Sequence, residues 1–405
     1  MINKIKNFLV NNYFINYIDV PKGTEKIIPL VIIESLAISV SYLISIYLVN
    51  SLHFAPLAVG KLISMFSLGT CAGSLVSGYL TTRVSVIKVS SLGLFMYAMG
   101  FFFLSFVTSY SFLLVILFLC GISGIFMMIG NLTALIKLAD NDVMQNRIIV
   151  LQSVIFNLSF SVSSFFMSYL QAQSLRTFFL LFGFMLLISG IFVLNFKTYS
   201  TPAPTTDKKA SLFLTKTEFP SIIMIISMIF LYGIMYSLVK IYFPVETVSR
   251  FHNSFYSWLI LSINPLMIIF LQPLLIGRLK NKGNIFLLLS GSFLLGVGYA
   301  FFGISTYLIL SILFILLATC GEMLFSPISK KLVATSFGYG NEGIGLAVWK
   351  MTYYFSGVLG AIFIGYLGEN FRDLNIWLVC LPLSLALIIC IVCYSAYVGK
   401  LQAMN

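Results

Sequence analysis

An all-α integral membrane protein, with twelve transmembrane helices in two six-helix pseudo-symmetric bundles, is the fold this sequence predicts. Three observations carry that expectation. Of 405 residues, 60% are apolar and only 9% charged, against roughly 45–50% and about 25% in a soluble domain. Apolar runs of spanning length recur twelve times along the chain. A single long polar stretch separates the sixth run from the seventh. Together these exclude a soluble globular protein.

A hydrocarbon core about 30 Å thick takes roughly 20 residues of helix, and each run is long enough to cross it. The first six fall at 27–50, which carries Glu34; 56–80, with Lys61; 86–107; 112–136, with Asn131; 149–171, with Gln152 and Asn157; and 177–196. The second six fall at 220–244, with Lys240; 255–276, with Asn264 and Gln272; 285–304; 307–328, with Glu322; 343–367, with Lys350; and 375–397. Bilayers admit only helices and closed barrels, and the runs lack the alternating polarity of barrel strands, so every span is read as a helix. The stretch KTYSTPAPTTDKKASLFLTKTE, rich in Pro, Thr and Lys, then divides the chain into a bundle over 1–196, a linker over 197–218 and a second bundle over 219–405.

Orientation follows from the cations. The formal net charge of +12 would suggest nucleic acid in a soluble chain, but in a membrane chain it points to the positive-inside bias. One set of loops and ends holds eighteen Lys and Arg, Lys330 and Lys331 among them, while the alternate set holds only Arg176, Arg250 and Arg372. Both termini and the linker are therefore expected in the cytoplasm, with the protein multi-pass in a bacterial cytoplasmic (inner) membrane. The start of the chain, broken by Asn and Lys before any sustained apolar run, does not read as a cleaved signal peptide.

The six cysteines lie inside apolar runs without metal-ligand or disulfide spacing, and His53 and His252 are the only histidines. No cofactor, no metal and no enzyme chemistry is expected. An even helix count, two equal halves and a cytoplasmic linker fit a secondary transporter built from two repeats that rock around a midplane site. Its expected partners are a small-molecule substrate, protons and the lipid bilayer, with no nucleic acid, and it is expected to act as a monomer.

After the second run the chain reads GSLVSGYLTTRVSVIK, and after the eighth LLIGRLKNKG. Both resemble the cytoplasmic loop signature of the major facilitator superfamily. Gly78, Leu80 and Arg83 match in the first copy, and Gly277, Leu279, Lys282 and Gly283 in the second. Thr82 and Asn281 stand at the family's acid position. The resemblance implies a conformational latch at Gly78, Arg83, Gly277 and Lys282, altered by the loss of both acids. A second resemblance covers residues 313–365, where ATCGEMLFSPISKKLVAT and GIGLAVWKMTYYFSGVLGA look like the tenth and eleventh helices of proton-coupled multidrug antiporters of this superfamily. The first of these pieces is also similar to proton-coupled oligopeptide transporters, although the lone Glu34 lacks their paired-acid and Arg pattern. Gly321, Glu322, Ser326, Pro327 and Lys350 carry the match, which implies proton coupling or cation binding at Glu322.

Five charged side chains fall well inside the runs: Glu34, Lys61, Lys240, Glu322 and Lys350. Each costs roughly 2.5–3.5 kcal/mol at the bilayer centre on insertion scales, so each is a functional candidate. At 1.5 Å per residue, Glu34, Glu322 and Lys350 reach similar depths. The resemblance implies that the first, fourth, seventh and tenth helices line the cavity, so Glu34 and Glu322 are expected to face each other. Two such carboxylates resist joint ionisation, which suits one to carry a proton. Lys350 is expected to meet Glu322, either as a permanent helix-holding pair or as a partner that switches. Glu34 has the blander alternative of reaching headgroup water.

Lys61 and Lys240 lie near the outer ends of their spans, where long stems snorkel. Tyr232, Tyr236 and Lys240 nevertheless share one face of the seventh helix. With Trp349, Tyr353 and Asn264 they form the expected substrate-binding set, lipid-interface Tyr being the alternative for the stripe. Asn131, Gln152, Asn157, Asn264 and Gln272, polar residues in the spans, either bind substrate or bond neighbouring helices, and the second is the favoured reading. The leading functional reading is proton-coupled export of a small amphipathic or drug-like solute. The alternative is proton-coupled movement of a small polar metabolite such as a peptide, amino acid or siderophore.

Overall fold

The computed structural model describes residues 21, 23–136, 138, 142–170, 172–194, 219–279, 282–336, 342–371 and 375–404. The linker expected over 197–218 lies outside the described residues. Among the described residues, twelve helices are long and apolar enough to cross a membrane: Thr24–Asn50, Pro56–Ser77, Val86–Phe106, Tyr110–Ile136, Leu151–Tyr169, Ser174–Leu194, Phe219–Phe251, Ser254–Gln272, Asn284–Ile304, Leu308–Val333, Val348–Asn370 and Ile376–Lys400. They are called the first to the twelfth helix below. Among the described residues there is no strand.

Pro29, Pro244 and Pro327 lie inside the first, seventh and tenth helices. Neighbouring helices and nearby side chains re-satisfy the backbone groups that Pro frees in a membrane helix. The seventh helix runs on past the expected end at 244 to Phe251, with Ser45 Oγ of the first helix donating to the Lys240 carbonyl that Pro244 frees, at 3.3 Å, and the tenth runs past 328 to Ser336. The first helix is interrupted at Leu43. There the Leu43 amide reaches the carbonyls of both Ser39 and Val40, and Ser39 Oγ bonds the Ser35 carbonyl at 2.6 Å; such back-bonding bends helices.

Each bundle has an aromatic centre. In the first, Tyr47 meets Phe179 edge-on at 5.1 Å, and Phe101 meets Phe179 at 5.7 Å. In the second, fully buried Trp377 packs on Phe302 at 5.0 Å and on Tyr299 at 6.2 Å. Exposed Phe106, Phe112 and Ile309 ring the outside, as expected where lipid replaces water. The two halves also turn alike: His53, after the first helix, and His252, after the seventh, both take positive φ, 56° and 46°. Both occupy the left-handed conformation that ends a helix, a place usually given to Gly.

The bundles meet through the second and eleventh helices, the fifth and eighth, and the first and seventh. They press together at the far end, away from residues 24 and 404. A Cβ on Gly60 would stand 2.4 Å from the Ala361 carbonyl oxygen, and one on Gly365 would stand 2.8 Å from that of Pro56. Only Gly permits this approach. Beside it Glu369 Oε2 accepts from the Leu57 amide at 3.3 Å, so an acid of one bundle caps a helix start of the other.

The far end of the second bundle is pinned by a polar cluster. Arg250 donates to the carbonyls of Phe302 and Ser305, each at 2.7 Å, and of Gly303 at 3.2 Å. It pairs with Glu246, which also accepts from the Trp377 indole N–H. Asn375 Nδ2 adds a bond to the Gly303 carbonyl at 2.8 Å. Arg250 was expected in a loop; it lies on the seventh helix and closes the last turn of the ninth.

Candidate functional site

Two adjoining cavities lie between the bundles. One, of about 280 Å³, has Tyr236, Lys240, Asn264, Glu322, Lys330 and Tyr353 in its wall. The other, of about 500 Å³, has Glu34, Gln152, Lys330, Trp349, Lys350 and Tyr354. Tyr42, Ser153, Phe156 and Lys330 belong to both walls. Glu34 and Glu322, expected to face each other, therefore line different cavities, with Tyr42 and Lys330 on the wall between them.

Each carboxylate is held by an asparagine from a neighbouring helix. Asn131 Nδ2 donates to Glu34 Oε2 at 2.6 Å, while Asn131 Oδ1 accepts from Ser90 Oγ at 2.6 Å. Glu34 is 2% exposed, which rules out its reaching headgroup water in this conformation. Asn264 Nδ2 donates to Glu322 Oε2 at 2.8 Å and reaches Thr319 Oγ1 at 3.2 Å. The Tyr236 hydroxyl is also directed at Glu322. Both asparagines thus bond neighbouring helices, as expected of polar residues in spans, and Asn264 does so from the cavity wall.

The cations are distributed differently from expectation. Lys350 shares its cavity with Glu34, and the lysine facing Glu322 is Lys330. The expected Glu322–Lys350 pair does not form, because the eleventh helix turns Lys350 toward the first helix instead of the tenth. Lys330, counted among the loop cations, lies on the tenth helix two turns beyond Glu322. It sits 4.7 Å from the Trp349 ring centroid, and the Trp349 indole N–H bonds Ser329 Oγ at 3.1 Å. Among the described residues no carboxylate lies within 4 Å of Lys240, Lys330 or Lys350; the one ion pair there joins Glu246 to Arg250.

Lys240 does not snorkel. Its ammonium sits 5.0 Å from the ring centroids of Tyr42 and Tyr353 and 5.9 Å from that of Tyr236. Each desolvated cation–π contact contributes up to about 2 kcal/mol, enough between them to offset the roughly 2.5–3.5 kcal/mol cost of a charge at membrane depth. The rings hold the charge without cancelling it. Trp349 stacks on Tyr353 at 5.2 Å, extending the aromatic wall. Tyr232 packs behind that wall, against Phe325 at 4.9 Å and Tyr236 at 5.8 Å, and lines neither cavity. Lys61, by contrast, is exposed near the far end of the second helix, consistent with snorkelling.

At the loop signature, Arg83 lies 5.7 Å from the Tyr79 ring and Lys282 5.9 Å from the Phe286 ring. Each cation thus rests on an aromatic four residues away in its own half. Gly78 and Gly277 are helical; their surroundings and Asn281 lie outside the described residues.

The sequence model of the Major Facilitator Superfamily matches residues 27–361. No curated protein matches the chain in sequence. Among solved structures, it is similar to a POT family transporter in complex with a thioalcohol-conjugated peptide, with a TM-score of 0.78 and 15% identity over 95% of this chain and 97% of that one. The nucleoside transporter NupG gives 0.70 and 14% over 92% and 98%. A bacterial homolog of the human lysosomal transporter Spinster, inward-facing and unoccupied, gives 0.72 and 12% over 92% and 95%. At these identities the likeness is one of fold.

Proposed function

The chain belongs to the major facilitator superfamily, and from that premise we propose that it couples protons to the movement of a small amphipathic or drug-like solute by alternating access, in the export direction. Membership makes it a secondary transporter. The observation that carries the finer reading is the cavity joining a half-buried carboxylate, Glu322, to an aromatic wall and an uncancelled cation, Lys240. Glu322 exchanges the proton, while Tyr236, Lys240, Asn264, Tyr353 and Trp349 hold the solute or shape its seat. Glu34 and Lys350 tune the adjoining cavity. The export direction rests on the likeness of the tenth and eleventh helices to multidrug antiporters. Vesicles containing the protein and a trapped pH dye test the coupling: a transported solute is expected to change internal pH, and solute movement without any protein-dependent pH change overturns it.

One observation favours the second reading. The smaller cavity carries both signs of charge, Glu322 against Lys240 and Lys330, which suits a small polar metabolite, and the structural relatives include a peptide and a nucleoside transporter. Uptake competition between amphipathic compounds and short peptides or nucleosides separates the two.

We further propose a bacterial cytoplasmic membrane location, a functional monomer, and both termini and the linker in the cytoplasm. In that orientation the pressed far end faces outward, and both cavities belong to an inward-facing state. A cysteine placed at Thr206 is expected to escape a membrane-impermeant thiol reagent added to intact cells, and one at His252 to react. Efficient labelling at Thr206 overturns the orientation.

A further inference from the structure

We infer that the solute is a small amphipathic organic anion whose acidic group seats on the Lys240 ammonium and whose apolar body lies against the aromatic wall beside it. The inference rests on the transport reading and narrows its substrate class. Four observations support it. Lys240 points into the smaller cavity, where three tyrosine rings surround its charge and, among the described residues, no carboxylate lies within 4 Å. The acid in that cavity is already engaged, since Glu322 accepts from Asn264 and faces Tyr236 and Lys330. The wall holds two cations, Lys240 and Lys330, against one acid, Glu322, so a singly charged anion cancels the formal charge of the occupied cavity. Phe156, Phe160, Phe243, Pro244 and Leu261 supply an apolar part of the same wall, beside the uncharged polar groups of Ser153, Asn157, Gln272 and Ser326.

Size restricts the ligand further. Drug-sized ligands occupy pockets of roughly 300–1,000 Å³, and about 280 Å³ lies just below that range. A phospholipid is excluded on volume, and a compact aryl or short alkyl carboxylate fits. A hydrogen bond to a charged partner in such a site raises affinity about tenfold or more.

The probes are three molecules with one skeleton and different charge: 3-phenylpropionate, 3-phenylpropionamide and 3-phenylpropylamine. Binding to the full-length protein in detergent is read as the ligand-dependent rise in its thermal midpoint. The carboxylate is expected to bind about tenfold tighter than the amide, and the amine to bind most weakly. Lys240→Gln should erase the advantage of the carboxylate over the amide, while Lys330→Gln should keep most of it. A preference for the amine, parity between carboxylate and amide, or no stabilisation by the carboxylate overturns the inference in the unmodified protein, whether or not either variant folds. Loss of the preference in Lys330→Gln with retention in Lys240→Gln overturns the assignment to Lys240. Because this binding assay uses no proton gradient, its failure leaves the coupling reading to the vesicle experiment, and failure of coupling leaves the anion site to this one.

Discussion

Glu322→Gln is expected to abolish accumulation against a gradient while sparing exchange of solute for solute. Glutamine keeps the shape of the side chain and an oxygen for the Asn264 amide, but it cannot give up or take a proton at transport pH. A pH difference of one unit drives about tenfold accumulation for one coupled proton, since about 1.4 kcal/mol is a factor of ten. In vesicles the variant should therefore fall from about tenfold toward equal concentrations, with counterflow still measurable. Glu34→Gln should reduce the rate and keep coupled accumulation, because Glu34 lies in the other cavity, bonded to Asn131 and facing Lys350. If Glu322→Gln still concentrates its solute, the proton travels elsewhere and Glu322 is a helix-bonding group.

The largest expected effect on stability is at Arg250. Its guanidinium, 15% exposed, serves three carbonyls of the ninth helix end and the Glu246 carboxylate, which also holds the Trp377 indole N–H. Arg250→Ala strands all of these partners together; breaking a fully buried pair from one side costs about 3–5 kcal/mol, and this pair, 15% and 27% exposed, is expected at or below the lower end of that range. A fall of many degrees in the thermal midpoint of the purified protein should report this. Adding Glu246→Gln should recover part of the loss, because the orphaned charge is then gone. Trp377→Phe should cost less than Arg250→Ala, since it removes one donor and keeps most of the ring. An unchanged midpoint in Arg250→Ala would show that the cluster is ornamental.

The helices were legible in the sequence because the bilayer imposes a length and a polarity on every span. Which residues share a helix face was legible too, as with Tyr236 and Lys240. The rotation of one helix against another was not, and it decides partners. Lys350 was expected at Glu322 on grounds of depth alone, yet it turns to the cavity of Glu34. Lys330 escaped notice because the apolar run of the tenth helix ends before it, although Glu322, Ser326 and Lys330 follow one another at four-residue steps down a single stripe. Lys240 looked like a snorkelling residue because its partners are rings from the first and eleventh helices, and no local pattern announces a cage assembled from three separate segments. The role of Arg250 was hidden for the same reason: its acceptors are backbone carbonyls some fifty residues away, which any sequence could supply.

At Gly60 and Gly365 backbone lies on backbone. At these two positions no side chain interlocks, so contact there is made and broken by backbone alone. Opening the seam surrenders the close van der Waals contact of backbone on backbone together with the bond along its edge from the Leu57 amide to Glu369. The same flatness leaves the seam intolerant of thickness. A single added methyl group at Gly60 works as a shim, and a carrier whose door is propped ajar on one side becomes, each time the other side opens, a leak.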